Sequence, residues 1–143
     1  MSDGLLKHLM AECESDNISM LLISDDMCSQ WRKGLDQALV DVMISTSRHL
    51  GKGLSMVFFS QSIVQLPTSI RRNTDMFCVF GATSFQETHL IWSDVSTVSK
   101  KDFYVMFRQS TQKQYGFLVC CNNAGRLSFY DSFKTEIKIN WSS

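Results

Sequence analysis

Two carboxylates follow an apolar run and are the residues best placed to do chemistry. The run extends from Ile18 to Ile23 and is followed by Ser24, Asp25 and Asp26. In an open α/β sheet, ligands gather outside the carboxyl ends of the strands. A carboxylate there can bind Mg²⁺ while a second one orients a nucleophilic water. Asp side chains also occur at turns because they accept hydrogen bonds from backbone N–H groups, so both interpretations stay open.

A glutamine occupies the equivalent position after the next apolar run. That run covers Leu54–Phe59 and leads into Ser60 and Gln61. If the two runs form neighbouring strands, the amide of Gln61 lies near the acidic pair. A neutral amide in this position can orient a water or sense a γ-phosphate. The alternative is a polar side chain that simply marks the end of the strand.

Two adjacent arginines form a third candidate. Arg71 and Arg72 belong to a short helical turn that Pro67 opens, because its fixed φ and missing N–H suit the first helical position. Guanidinium groups bind phosphate with two parallel hydrogen bonds, either on a nucleotide or across a subunit boundary as an arginine finger. The alternative is a solvated pair of charges on a turn.

The spacing of apolar residues predicts the elements that position these side chains. Strand, long helix, strand, short helix and strand follow one another, which is typical of a layered α/β domain with right-handed crossovers. The continuous apolar run at Ile18 predicts a strand buried on both faces. We expect one domain over residues 1–143. The predicted elements are a helix over Asp3–Glu14, strands over Ile18–Ile23, Leu54–Phe59 and Met76–Phe80, helices over Ser29–Leu50, Ser84–Trp92 and Ser99–Gln109, and a hairpin of Tyr115–Cys121 with Arg126–Tyr130.

Composition sets limits on the function. The chain has 143 residues, 44% of them hydrophobic, with 14 basic and 14 acidic side chains. This balance predicts a globular protein and disfavours a lone nucleic-acid binder, which usually carries a basic excess. No apolar run approaches the roughly 20 residues that span a bilayer, so we expect no membrane partner.

The cysteines indicate a reducing compartment. Their number is odd and no CxxC motif occurs, which predicts reduced core residues in an intracellular, cytoplasmic protein. The five are Cys13, Cys28, Cys78, Cys120 and Cys121.

Five segments occur in an informative order: MLLISDD, SRHLGKG, LSMVFFSQSIVQLP, SIRRNTD and MFCVFGA. In this order they resemble the C-terminal half of FtsK/HerA-type P-loop ATPases. The closest similarity is to the genome-packaging ATPases of poxvirus-like DNA viruses and of related virus-like transposons. It runs from about Ile18 to Phe133 and includes the YGFLVC hairpin. Its most specific part is the ordered set of acidic pair, Arg-His, strand-terminal Gln and IRRN.

The resemblance implies a RecA/ASCE-like sheet with helices on both faces and a role for each candidate residue. Met20–Asp26 would be the Walker B strand, with Asp25 in the Mg²⁺ shell. Asp26 would polarise the attacking water, in the position where many relatives have Glu. Gln61 would be the sensor on the adjacent strand.

The resemblance also implies cofactors and partners. Arg71 or Arg72 would contact phosphate or act across a subunit boundary. The cofactors would be ATP and Mg²⁺. The family works as a homo-oligomeric ring, usually hexameric, that translocates double-stranded DNA, and capsid or portal components would be further partners. In a viral setting the location would be the cytoplasm or nucleus of the host cell.

The sequence departs from this family in lacking a Walker A loop. The nearest segment, Gly51-Lys52-Gly53, fails the GxxxxGK[ST] pattern because Thr46 and Gly53 stand at its defining positions. Without that loop the β- and γ-phosphates lose their main ligands. We therefore expect the isolated chain to be inactive. It could be a fragment, one half of a two-part enzyme or a degenerate descendant.

Two other classes of protein remain as alternatives. A receiver domain also has an acidic pair after its first strand, but it needs a phosphoacceptor Asp where Ser60 and Gln61 stand. A non-enzymatic interaction module with an ATPase-like fold would instead bind a capsid or ring partner through exposed apolar surface.

Overall fold

The computed structural model describes residues 3–25, 37–49, 51–81, 84–95, 98–123 and 125–138. The chain divides into two compact units, Met1–Asn73 and Thr74–Ser143, so a single domain over the whole chain stays a prediction. None of the helices in these ranges is long and apolar enough to cross a membrane. In chain order the elements are α1 (Asp3–Ser15), β1 (Met20–Asp25), α2 (Gln37–Thr46), β2 (Leu54–Phe59), α3 (Thr68–Arg72), β3 (Met76–Val79), α4 (Phe85–Val95), α5 (Lys100–Thr111), β4 (Leu118–Asn123), β5 (Arg126–Asp131) and β6 (Thr135–Glu136), with 3-10 turns at Ser47–His49 and Ile63–Gln65.

The first unit contains a parallel pair of strands. β1 and β2 run side by side, with Met20 opposite Leu54 and Asp25 opposite Phe59. Parallel neighbours need a crossover connection, and α2 lies in that connection. The helix predicted over Ser29–Leu50 is described from residue 37 to residue 49, where it forms α2 up to Thr46 and then the 3-10 turn of Ser47–His49; residues 29–36 and 50 lie outside the described ranges. Mixed α/β structure is therefore confirmed for this unit.

One face of this sheet carries the core of the first unit. Alternate strand residues point to it, because successive side chains of a strand face opposite sides. They pack with side chains from α1, α2 and α3. Burying these side chains is the main stabilising contribution to the unit. The buried set comprises Leu6, Cys13, Met43, Ile44, Leu54 and Ile70, with Met10, Met20, Leu22, Met56, Phe58 and Leu66 packed against it.

The opposite face of the sheet is exposed. Leu21, Ile23 and Phe59 are 61%, 59% and 55% accessible, and Val57 is 39% accessible. We call these four side chains the open face. Burial of β1 on both faces, with helices covering both sides of the sheet, is therefore wrong for the described residues. The apolar run indicated side chains that are suited to burial. It did not indicate whether a helix or another strand packs against them.

The second unit contains a four-stranded antiparallel sheet in the order β3-β4-β5-β6. The hairpin of β4 and β5 is confirmed. The third predicted strand exists as β3, but its assignment to a parallel layered sheet is wrong, because it pairs antiparallel with β4, Met76 lying opposite Cys121. Its partner is distant in sequence, and an apolar run does not encode the direction of the neighbouring strand.

α5 packs on the second unit's sheet through aromatic side chains. Its N-terminus is capped as predicted, since the Ser99 hydroxyl accepts a hydrogen bond from the Asp102 N–H at 3.1 Å. The ring of Phe103 stacks on Phe107 and meets the ring of Phe129 in β5 edge to face. Phe103 and Phe129 are almost completely buried, so this contact anchors the helix.

The cysteines only partly follow the prediction of core residues. Cys13 and Cys120 are buried, but Cys78 is exposed and Cys121 is half-buried. The prediction is therefore wrong for Cys78. Cys28 lies outside the described residues.

The turn before β2 is fixed by backbone contacts. The Lys52 N–H donates to the Ile18 carbonyl at 3.2 Å, and the Met20 N–H donates to the Gly53 carbonyl at 3.1 Å. Gly51 has a φ of +53°, and a Cβ at this position would collide with the carbonyl oxygen of Cys13. Glycine is therefore required here for both conformational and steric reasons.

Replacing Gly51 should destabilise the first unit more than replacing Gly53. Gly53 also has a positive φ, of 110°, but nothing lies within 4 Å of its Cβ position. Gly53→Ala should cost roughly 1–3 kcal/mol of unfolding free energy from backbone strain alone. Gly51→Ala should cost about 2 kcal/mol more, because a backbone carbonyl must move. Urea unfolding followed by circular dichroism measures both, and equal losses would contradict the steric argument.

Cys120 should resist alkylation in the native protein. Burial raises the pKa of the Cys120 thiol to about 12, and the nearby Cys78 adds to the effect. At pH 8, iodoacetamide should modify Cys121 while leaving Cys120 intact, because the reactive species is the thiolate. Both should react in urea. Peptide mass spectrometry reads out each site, and equal native rates for these adjacent residues would disprove the inward orientation of Cys120.

Candidate functional site

The carboxyl ends of β1 and β2 lie at one edge of the parallel sheet. Asp25 is the last residue of β1 and pairs with Phe59, the last residue of β2. Gln61 follows two residues beyond that partner, so both candidates belong to the same sheet edge. Both side chains are exposed. Asp26 lies outside the described residues.

A local turn holds Gln61 at this edge. The Ser60 hydroxyl donates a hydrogen bond to the Ser62 carbonyl at 2.7 Å and accepts one from the Ser62 N–H at 3.2 Å. These bonds compete with continuation of the strand, as Ser side chains commonly do at strand ends. Gln61 therefore lies within a tight bend, directly after β2.

The two residues at the end of β1 point in opposite directions. Ser24 is buried toward the helices, whereas Asp25 is exposed on the side of the open face. Within the described ranges, no group of three His, Cys, Asp or Glu side chains could hold a metal ion. Mg²⁺ keeps several waters and takes one or two carboxylates plus phosphate oxygens. A single exposed carboxylate such as Asp25 has the chemistry of a Mg²⁺ ligand that acts together with phosphate oxygens and water.

The two arginines have different environments. Arg71 donates from Nη1 to the Leu66 carbonyl at 2.7 Å and from Nη2 to the Thr68 hydroxyl at 3.4 Å. Arg72 is exposed, and its side chain makes no hydrogen bond or ion pair with the residues that the structure describes. Arg71 thus fixes the segment that leads into α3, and Arg72 is the guanidinium available for a partner.

A shallow cavity of about 380 Å³ lies beside Arg71. The carboxylate of Asp41 in α2 also lines it, whereas Asp25 and Gln61 do not. Arg71 and the carboxyl edge of the sheet are therefore not brought together in this cavity. Sequence reasoning missed Asp41 because it occurs as an ordinary polar residue of a helix, far from Arg71 in the chain. The lining residues are Asp41, Val64, Leu66, Pro67, Thr68, Ser69 and Arg71.

Comparison of the chain with protein-family models, with curated proteins and with solved structures gave no match. The proposal below therefore depends on the motif resemblance described above and on the geometry of the chain's own residues.

The two arginines should differ in their contribution to stability. Arg71→Ala should lower the free energy of unfolding by about 1–2 kcal/mol, because it leaves the Leu66 carbonyl without its charged donor. Arg72→Ala should change it by less than about 0.5 kcal/mol, as expected for an exposed side chain. Chemical denaturation measures both, and a larger loss for Arg72→Ala would reverse the assignment.

Proposed function

We propose that this chain supplies the Walker B and sensor part of an FtsK/HerA-type P-loop ATPase. Such a protein would act in a homo-oligomeric ring that uses ATP to package double-stranded DNA of a viral genome, with capsid or portal components as partners. The main support is the parallel pairing of β1 with β2, which brings Asp25 to the edge where Gln61 follows the neighbouring strand. A carboxylate and an amide at one such edge suit the positioning of water at a γ-phosphate.

Each residue at this edge has a proposed role. Asp25 would hold Mg²⁺, which when bound neutralises charge on the β- and γ-phosphates of ATP. Asp26 would orient the attacking water and draw a proton from it. Gln61 would orient the same water with its amide.

The arginine roles follow from their surroundings. Arg72 is exposed and uncommitted among the described residues, so the proposal assigns it the contact with a phosphate in a neighbouring subunit. Arg71 is held by the Leu66 carbonyl and the Thr68 hydroxyl and would position the segment that carries Arg72. A guanidinium that stabilises transition-state charge in this way increases kcat by a factor of about 10³–10⁵.

The proposal places the phosphate-binding loop outside these 143 residues, since the sequence contains no GxxxxGK[ST]. The open face supports the idea that a further structural element packs on this sheet. Parallel strands are normally covered on both faces, yet Leu21, Ile23 and Phe59 are exposed. Structure that packs on this face would also be suitably placed to bring a phosphate loop to the edge at Asp25.

The neutral charge of the chain is compatible with action on DNA in a ring. Several copies that each make a weak contact bind a polymer far more tightly than one copy does. The proposal therefore expects weak DNA binding by a single chain and tight binding by the ring.

A non-enzymatic interaction module is the second candidate, and the open face is the observation that favours it. An exposed apolar patch of this kind commonly marks a protein interface. A receiver domain has less support, because Ser60 and Gln61 follow β2 where its phosphoacceptor Asp belongs.

The decisive experiment measures ATP hydrolysis after this chain is joined to, or mixed with, a polypeptide that carries a phosphate-binding loop. Hydrolysis should depend on Mg²⁺ and rise with linear double-stranded DNA. Asp26→Asn should lower kcat roughly 100-fold or more, because it removes the group that activates water. Asp25→Asn should raise the Mg²⁺ concentration needed for half-maximal activity.

Glu14→Gln is the matched control, since it also removes one exposed carboxylate from the first unit. It should leave kcat and the Mg²⁺ requirement unchanged. Activity that survives Asp26→Asn would refute the proposed role of that carboxylate. If the double variant of Asp25 and Asp26 retains every measurable function of the assembly, the interaction module is the better account.

A further inference from the structure

Aromatic side chains surround the ammonium group of Lys100 in the second unit. Its Nζ lies 5.2 Å from the ring centroid of Phe85 and 5.8 Å from those of Trp92 and Tyr104. The imidazole of His89 stacks between two of these rings, 6.4 Å from Phe85 and 5.2 Å from Trp92. We call Phe85, His89, Trp92 and Tyr104 the Lys100 cage.

The walls of the cage are held by the two helices. Phe85, His89 and Trp92 are spaced four and three residues apart in α4 and so lie on one side of that helix. The indole N–H of Trp92 donates to the Val98 carbonyl at 3.1 Å, which fixes its ring. The rings of Phe85 and Tyr104 are 5.5 Å apart and connect α4 to α5. The rings therefore have contacts of their own, besides those with Lys100.

Three aromatic rings within cation–π distance of one ammonium group are more than side-chain packing usually produces. Significant cation–π contacts occur about once per 70–80 residues and extend to about 6 Å from a ring centroid. All three distances here fall within that limit. Rings arranged in this way form the kind of cage that recognises quaternary ammonium groups.

Among the described residues, aromatic rings provide the contacts of the Lys100 ammonium group. Lys100 is exposed, and it makes no ion pair with the described residues. Phe85 is 66% accessible, so the cage opens to solvent. A primary ammonium is strongly hydrated and favours water. A trimethylated ammonium has no N–H donors and presents methyl groups to the rings, so it loses less on leaving water.

One polar atom of the cage walls is unsatisfied. The hydroxyl of Tyr104 is buried and has no hydrogen-bond partner among the described residues. The inaccessible hydroxyl offers a ligand no contact, so recognition in this cage depends on the ring faces.

We propose that the Lys100 cage binds a trimethylated lysine side chain of a partner protein, and that Lys100 fills the cage when this partner is absent. The rings already contact the ammonium group of a lysine, so the charge of the proposed ligand matches that of the group they contact. This site lies in the second unit and does not depend on the ATPase function proposed above.

The test uses the full chain and a short peptide that contains trimethyllysine. Binding is followed by NMR through the indole N–H signal of Trp92, assigned with Trp92→Phe. The peptide should shift this signal at saturable concentrations. A peptide with the neutral isostere, in which carbon replaces the charged nitrogen, should bind at least tenfold more weakly.

Variants separate a binding site from a structural contact. Lys100→Gln should tighten peptide binding about two- to fivefold, because it removes the internal competitor. Phe85→Leu should weaken binding about threefold or more, since it removes one of the three rings facing the cation. Phe133→Leu is the matched control, a phenylalanine of similar exposure outside the cage, and should leave affinity unchanged.

Three results would overturn the proposal. The first is the absence of peptide binding to both the native chain and a folded Lys100→Gln variant. The second is equal affinity for the neutral isostere, which would indicate an apolar pocket only. The third is binding to phosphatidylcholine vesicles without binding to the peptide, which would assign the cage to a lipid headgroup.

Discussion

The parallel register of β1 and β2 is the constraint on which the first unit depends. The bonds that join Met20 to Gly53 and Lys52 to Ile18 set this register at the first residues of the pair. A slip of one residue would turn every side chain of β1 to the other face of the sheet. Asp25 would then point into the helices and Ser24 to solvent. The same few bonds therefore decide where the core lies and whether the candidate carboxylate reaches solvent.

Much of the fold followed from local patterns in the sequence. β2 begins and ends where the apolar run does, the Ser99 cap and the β4–β5 hairpin occur as predicted, and α3 begins directly after Pro67. These features depend on residues close together in the chain. The direction of β3 and the exposure of one face of β1 could not be predicted, because both depend on elements that are distant in sequence. The alternating burial of residues along β1 leaves no trace in its sequence, because the residues on both faces of the strand are apolar.

The positions of the candidate site residues could be predicted only in part, because some of them depend on contacts between residues that are distant in the sequence. Strand-end positions placed Asp25 and Gln61 at one edge, since parallel neighbours end together. The contrast between Arg71 and Arg72 could not be foreseen, because it depends on which guanidinium reaches the Leu66 carbonyl after the chain has turned. Asp41 and the Lys100 cage were missed, because each combines residues from separate helices. The signal that could have indicated the cage is the four- and three-residue spacing of Phe85, His89 and Trp92, which the sequence analysis did not use.

The open face also affects how the chain behaves during synthesis and handling. Leu21, Ile23 and Phe59 present apolar surface beside strands that have one described neighbour each. Strand edges of this kind template pairing with other chains, and apolar flanks strengthen the attachment. The isolated protein should therefore lose solubility as its concentration rises. Any surface that covers the open face should counter this loss, because it removes the same apolar side chains from water.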